Sequence, residues 1–274
     1  DVFLEALAEP WKSQARTLIS QNAAGFDRLF THSRYYSEFM QQYLRLPQEK
    51  FRTIPLTIDV ESHLSNHDVQ SNVSSNISQD ASRSANLQRT TIGYFARISP
   101  QKGVFQFLDA VEEVISQTTD MDFVIAGYLP ELHRVPFEKR LRAIQEQSSG
   151  NRLRWEGSPA DRNEKFRILR SFDWLCVPAE YHEPKGLYVL EAALAGVPSL
   201  LPNHGAFPER IADLGIGQLY EPDSGAALVA AILNLPSVKN EETPWGVTLR
   251  TCCIERYGMR ETGAKILAAI DEIG

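Results

Sequence analysis

The chain has 274 residues, 43% of them hydrophobic and 23% charged, with a formal net charge of -7. This composition excludes disordered and collagen-like chains, and no apolar run approaches the roughly 20 residues needed to cross a bilayer. The acidic balance argues against a general nucleic-acid binder, which needs a basic face to neutralise phosphates, although a local basic pocket stays compatible with it.

The length exceeds that of a usual single domain, so two unequal domains are expected. Reading along the chain, residues 2–20 have a helical pattern. Residues 27–32 (DRLFTH) and 51–56 (FRTIPL) read as strands flanking a helix over 34–44. That is too little to bury a core alone, so residues 1–62 are expected to be the end of a second α/β domain. The chain opens on Asp1 without an initiator Met and reads as an excerpt of a longer protein. Residues 63–89 are rich in Ser, Asn and Gln and have linker composition. Their triplets Asn72-Val73-Ser74 and Asn76-Ile77-Ser78 are formal glycosylation acceptors of the kind such a composition generates by chance.

From residue 91 onward, short β-rich apolar runs alternate with amphipathic stretches. The strand candidates are 91–96, 122–126, 152–156, 173–177, 198–201 and 217–220, and the helix candidates are 102–117, 134–147, 161–170, 187–195, 206–213 and 223–234. About six strands with helical crossovers predict an α/β fold with a doubly wound parallel sheet, spanning 90–240 and followed by one or two closing helices over 241–274. Ligands of such sheets bind outside the carboxyl ends of the strands, so chemistry is expected in the βα loops. Three cysteines, Cys176, Cys252 and Cys253, supply neither a disulfide framework nor metal-ligand spacing, which favours a reducing compartment, and the adjacent pair in the helical tail reads as packing.

One loop stands out. In YHEPKGLYVLEAALAGVP (181–198), Pro184 and Gly186 oppose helix while Leu187 onward favours it, so a helix is predicted to start near Gly186 or Leu187. Glu183 then sits in the loop and Glu191 one turn or more into the helix. The unpaired N–H groups at 186–188 and the helix dipole form a mouth suited to phosphate, with the two carboxylates as hydroxyl binders around it. The alternative reading is an exposed loop acid and a surface helix acid. Arg97 and Lys102, in IGYFARISPQKG, flank the first βα turn and are expected to face the same sheet edge, where they would complete a pyrophosphate clamp. Such a clamp stabilises an anionic leaving group without a metal.

The segments GYFARISPQKG (93–103), VIAGY (124–128), RWEGSP (154–159), 173–202 and GAFPERI (205–211) together resemble the donor-binding, C-terminal domain of glycosyltransferase family 4, retaining sugar transferases with the GT-B fold. RLFTHSRYYSEFMQQYL (28–44) and FRTIPLTID (51–59) are similar to the end of that family's N-terminal, acceptor-side domain. The resemblance implies a Rossmann-like sheet and catalytic roles for Arg97, Lys102 and Glu183, with Arg97 and Lys102 on the donor diphosphate and Glu183 on the transferred sugar. It further implies donor contacts from Gly186, Leu187 and Tyr188, ribose binding by Glu191, and nucleobase contact near Ser158 and Pro159. The nucleotide-diphosphate sugar is implied as a substrate, with no cofactor and no metal. Two departures, Lys185 for an aromatic and Pro159 for a β-branched residue, bear on donor selectivity.

His32 is expected to be partly buried or interfacial, and His133, His182 and His204 show no ligand spacing with acidic partners, while His182 would help to shape the Glu183 loop. The leading expectation is a nucleotide-sugar-dependent glycosyltransferase represented mainly by its donor half and inactive by itself. The acceptor would be a glycan, lipid or small molecule, and no nucleic-acid partner is expected. The expected location is the cytoplasm, including the cytoplasmic face of a membrane. Rival readings are a noncatalytic nucleotide-sugar-binding or assembly module, a glycoside hydrolase using Glu183 and Glu191, and an epimerase or phosphorylase of related architecture.

Overall fold

The computed structural model describes residues 7–60, 89–148, 150–236 and 244–272. The 63–89 linker, with its two glycosylation triplets, lies outside the described residues apart from Arg89. A small first unit contains α1 (Trp11–Ala24), β1 (Leu29–Thr31), α2 (Arg34–Leu44) and β2 (Phe51–Thr53), with β1 and β2 paired in parallel. Of the predicted helix at 2–20, residues 2–6 lie outside the described residues, residues 7–10 are not helical, and the helix runs from Trp11 to Ala24, with Pro10 directly ahead of it and Gly25 as its cap. Ala23, Tyr43 and Leu44 form a separate small core there.

The main unit alternates β3 (Thr90–Phe95), α3 (Val104–Gln117), β4 (Met121–Ala126), α4 (Glu131–Gln147), β5 (Leu153–Gly157), α5 (Arg162–Arg170), β6 (Trp174–Cys176), α6 (Leu187–Leu194), β7 (Ser199–Pro202), α7 (Phe207–Leu214), β8 (Gln218–Tyr220) and α8 (Gly225–Leu233). Two helices, α9 (Pro244–Tyr257) and α10 (Met259–Asp271), close the chain. All six strands of the sheet are parallel, in the order β5-β4-β3-β6-β7-β8. Helices cover both faces, which is why β4 is buried at every position and reads as a continuous apolar run rather than an alternation. The first predicted helix begins later than expected. Pro100–Lys102 form a 3-10 turn and Gly103 is left-handed before α3 starts, so Lys102 lies in the turn. Conversely, α4 starts three residues earlier than its apolar periodicity indicates.

The strand order reverses direction between β3 and β6, and at such a switch point the loops part and leave a crevice at the carboxyl end of the sheet. The first unit packs against this end through α2. Glu209 of α7 accepts from the Arg34 and Tyr35 N–H groups at 2.9 and 2.6 Å, supplying a negative charge to the N-terminus of α2. Arg162 bonds Asp59 at 2.9 Å, Arg52 bonds Glu272 at 2.7 Å, and Ile58 N–H donates to Tyr257 O at 2.9 Å. His32 is half-buried at this junction, its Nδ1 3.1 Å from Ile54 O, as the sequence predicts. Cys253 is buried and 3.4 Å from Leu190 O, also in keeping with a packing role.

Candidate active site

The site is assembled by two loops that meet at the switch point. The Tyr94 hydroxyl, buried at the end of β3, donates toward both the Arg97 and Lys102 carbonyls, at 3.0 and 3.2 Å, and so fixes the β3–α3 turn. Gly103 must lack a side chain: its φ is +73°, and a Cβ there would lie 1.8 Å from Pro178 O in the loop after β6. Backbone thus presses on backbone, which brings Lys102 up against the second loop.

Within that loop Glu183 is 5% exposed. Its Oε2 is ion-paired with Lys102 Nζ, accepts from the Tyr181 hydroxyl at 2.5 Å and lies 3.4 Å from the Tyr188 hydroxyl. Its Oε1 accepts from Lys185 N–H at 3.3 Å. Lys102 Nζ also contacts the Tyr181 hydroxyl at 2.5 Å and lies 4.9 and 4.7 Å from the ring centroids of Tyr181 and Tyr188. Burial pushes the Glu183 carboxyl upward, but the Lys102 charge and the hydrogen bonds from Lys102, Tyr181 and Gly186 N–H outweigh it and hold the group below the usual glutamate range. Burial, reinforced by the Glu183 charge, holds the Tyr181 and Tyr188 hydroxyls well above the usual tyrosine range, so both stay protonated donors.

Gly186, left-handed at φ 69°, leads directly into α6. Intrahelical bonding begins with Val189 N–H to Gly186 O at 3.0 Å, so the N–H groups of Leu187 and Tyr188 precede the ladder and form the expected helix mouth. From behind, Ala206 N–H donates to Glu183 O at 2.8 Å. Farther along α6, Glu191 pairs with Lys165 at 3.0 Å and lines a pocket of about 530 Å³ with Pro159, Arg162, Lys165 and Leu187. Arg97 remains exposed on the rim, its guanidinium 6.0 Å from the Tyr128 ring. Ser158 is exposed beyond the end of β5, next to Pro159.

The structure therefore gathers Lys102, Glu183, Gly186, Leu187 and Tyr188 at one helix mouth and joins Glu191 to Pro159 in an adjoining pocket. Sequence reasoning missed Tyr181 and Lys165. Tyr181, two residues before Glu183 in the same loop, offered a signal, whereas Lys165 pairs across 26 residues and offered none. It also missed that the His182 and His204 rings stack at 4.7 Å, with His182 Nδ1 3.2 Å from the Tyr35 hydroxyl. A larger concavity of about 980 Å³ lies between α3 and α8; its lining includes Asp109, Glu113, Glu180 and Asp223 and no Lys or Arg, so it does not suit a diphosphate.

Comparison with known proteins bears on the family and the fold of the chain. The model of the family "Glycosyl transferases group 1" matches residues 76–246, more than half of the chain. The chain is 29% identical over 145 residues to the lipopolysaccharide core biosynthesis mannosyltransferase LpcC of Rhizobium leguminosarum bv. viciae, covering 53% of this chain and 40% of that protein. It is 25% identical over 175 residues to a phosphatidyl-myo-inositol mannosyltransferase of Mycolicibacterium smegmatis, covering 64% and 42%. The chain thus spans about two fifths of the length of these curated relatives. The crystal structure of Anabaena Alr3699/HepE in complex with UDP superposes with a TM-score of 0.72 at 17% identity, over 98% of this chain and 69% of that one, which establishes the shared GT-B fold. With the doubly wound sheet, the ordered loop motifs and the family match in agreement, the chain belongs to the group 1 glycosyl transferases.

Proposed function

We propose that this chain is the donor-binding half of a retaining glycosyltransferase that uses a nucleotide-diphosphate sugar. The observation that carries the reading is the junction of three recognition elements on α6: the Lys102–Glu183 cluster at its mouth, the open N–H groups of Leu187 and Tyr188, and the Glu191 pocket along its side. Their chemistry matches the parts of a donor in order. Glu183 takes sugar hydroxyls, the helix mouth with Lys102 and Arg97 takes the diphosphate, and Glu191 takes ribose hydroxyls while the base lies beside Ser158 and Pro159. The two cations and the helix dipole oppose the charge that develops on the leaving diphosphate, so no metal is required. Sugar transfer then proceeds with retention, by same-face attack assisted by the donor phosphate.

The names of the relatives support a hexosyl donor and a glycan or lipid acceptor, and a location at the cytoplasmic face of a membrane is compatible with a chain in which no described helix is long and apolar enough to cross one. A glycosidase reading is less well supported. It needs one carboxyl of the pair held protonated as a general acid, whereas Glu183 is held below the usual range beside Lys102.

Thermal denaturation with UDP, GDP and ADP tests the donor reading: at least one should raise the melting temperature of this chain, and no response to any of the three would sink it. Sugar transfer by the chain alone is expected to be undetectable in a radiolabelled-donor assay, because it supplies mainly the donor side and its acceptor side is incomplete.

A further inference from the structure

The two peptide groups between Pro184 and Gly186 are held from outside the loop. Ser33, fully buried at the start of α2, donates its hydroxyl to Pro184 O at 2.8 Å while accepting from Tyr36 N–H at 3.1 Å. Arg210 of α7, 2% exposed, spreads its guanidinium over three chain segments. Its Nε donates to Lys185 O at 3.0 Å, its Nη2 to His32 O at 2.6 Å and its Nη1 to the Tyr257 hydroxyl at 3.1 Å. Its stem underlies the helix start, where a Cβ added to Gly186 would meet Arg210 Cγ at 3.7 Å.

A trans peptide is planar, with its C=O and N–H pointing in opposite directions. In the Pro184–Lys185 peptide the carbonyl goes to Ser33 and the Lys185 N–H to Glu183 Oε1. In the Lys185–Gly186 peptide the carbonyl goes to Arg210, so the planar peptide turns the Gly186 N–H away from Arg210. We propose that Ser33 and Arg210 are positioning residues for Glu183: each anchors one carbonyl and thereby turns the attached N–H toward the carboxylate. With Lys102 and Tyr181 holding Oε2, the Lys185 N–H on Oε1 fixes the plane of the carboxylate. Ser33 belongs to the first unit, so the seating of that unit on the sheet sets the geometry of the sugar-binding carboxylate. The proposal rests on the donor reading for the role of Glu183, but not for the linkage itself.

The test compares wild type with Ser33→Ala, Ser33→Thr, Arg210→Lys and Arg210→Met in the whole chain, by calorimetry with UDP, GDP and ADP and with UDP-glucose, GDP-mannose and ADP-glucose. Ser33→Ala and Arg210→Met should weaken the nucleotide sugar relative to its nucleoside diphosphate by about fivefold to tenfold. Ser33→Thr, which keeps the hydroxyl, should restore the ratio, and neither variant should change it further in a Glu183→Ala background. An unchanged ratio, even with a lowered melting temperature, overturns the proposal and leaves both residues as packing elements. Should Arg210→Met fail to fold, Ser33→Ala and Arg210→Lys carry the comparison. If wild type binds none of these ligands, the donor reading fails, and the linkage is decided by NMR titration of the Glu183 carboxyl. Its pKa should then rise in Ser33→Ala as the N–H donors drift away, and an unmoved titration overturns the proposal.

Discussion

Glu183 shows how a single side chain in this protein is specified by its surroundings. Taken out of water, a carboxylate is costly, and it stays ionised here only because an ammonium, two hydroxyls and the Lys185 N–H meet its oxygens. Its folded pKa lies below the ordinary value of 4.5. The stability it contributes is therefore present above that value and is lost as the pH falls through the folded pKa. Urea unfolding measured at a series of pH values should show this acid slope in wild type and a shallower one in Glu183→Gln. Glu191 makes a second test at this scale. Glu191→Ala should weaken nucleoside diphosphate binding by about 1 to 3 kcal/mol, read by calorimetry; unchanged affinity would return it to a role as the salt-bridge partner of Lys165. Both glutamates, with Lys102, were legible because they lie in compact linear motifs. Tyr181 was within reach of the same reading, whereas Lys165, Ser33 and Arg210 were not, since each meets the site from another part of the chain.

Among the elements, the two that shape the site are a turn and a helix start. The short turn from Ala96 to Gly103 turns on a left-handed glycine pressed against Pro178 O. Gly103→Ala would add a strained backbone conformation to a direct clash, and an expected loss of at least about 2 kcal/mol should be visible as a lowered urea midpoint. An unaltered midpoint would mean that the two loops are not seated against each other as described. Helix α6 begins at Leu187, in agreement with its sequence: Pro184 and Gly186 oppose helix, and the apolar run behind them buries Val189, Leu190, Ala192 and Ala193. Propensity also placed all six strands of the sheet to within one or two residues. It failed at the start of α1 and of α3, where Pro10 and the Pro100–Lys102 turn override the apolar periodicity, and at the start of α4, which begins three residues ahead of its apolar pattern.

At the scale of the whole molecule, the first unit and the sheet are joined by charges placed at helix ends. Glu209 caps α2 with 11% of its side chain exposed, so its bonds to the Arg34 and Tyr35 N–H groups are shielded from salt more than the Arg52–Glu272 pair at the rim. Glu209→Ala should cost about 1 to 2 kcal/mol and speed amide exchange at Arg34 and Tyr35, observed by NMR, with little change at the strands of the main sheet. Equal exchange in both proteins would show that α2 is seated by its other contacts.

The chain's own sequence determined the alternation of strands and helices, the parallel sheet it implies, the helix start behind Glu183 and the family motifs in the βα loops, because periodicity, propensity and turn chemistry act within windows of a few residues. Tertiary structure alone decided the strand order that opens the crevice between β3 and β6, the pairing of Lys102 with Glu183 across 81 residues, and the anchoring of the Pro184 and Lys185 carbonyls by Ser33 and Arg210. Those contacts are set by which buried faces and buried polar groups satisfy one another once the whole chain has packed, and no local stretch of sequence contains that choice.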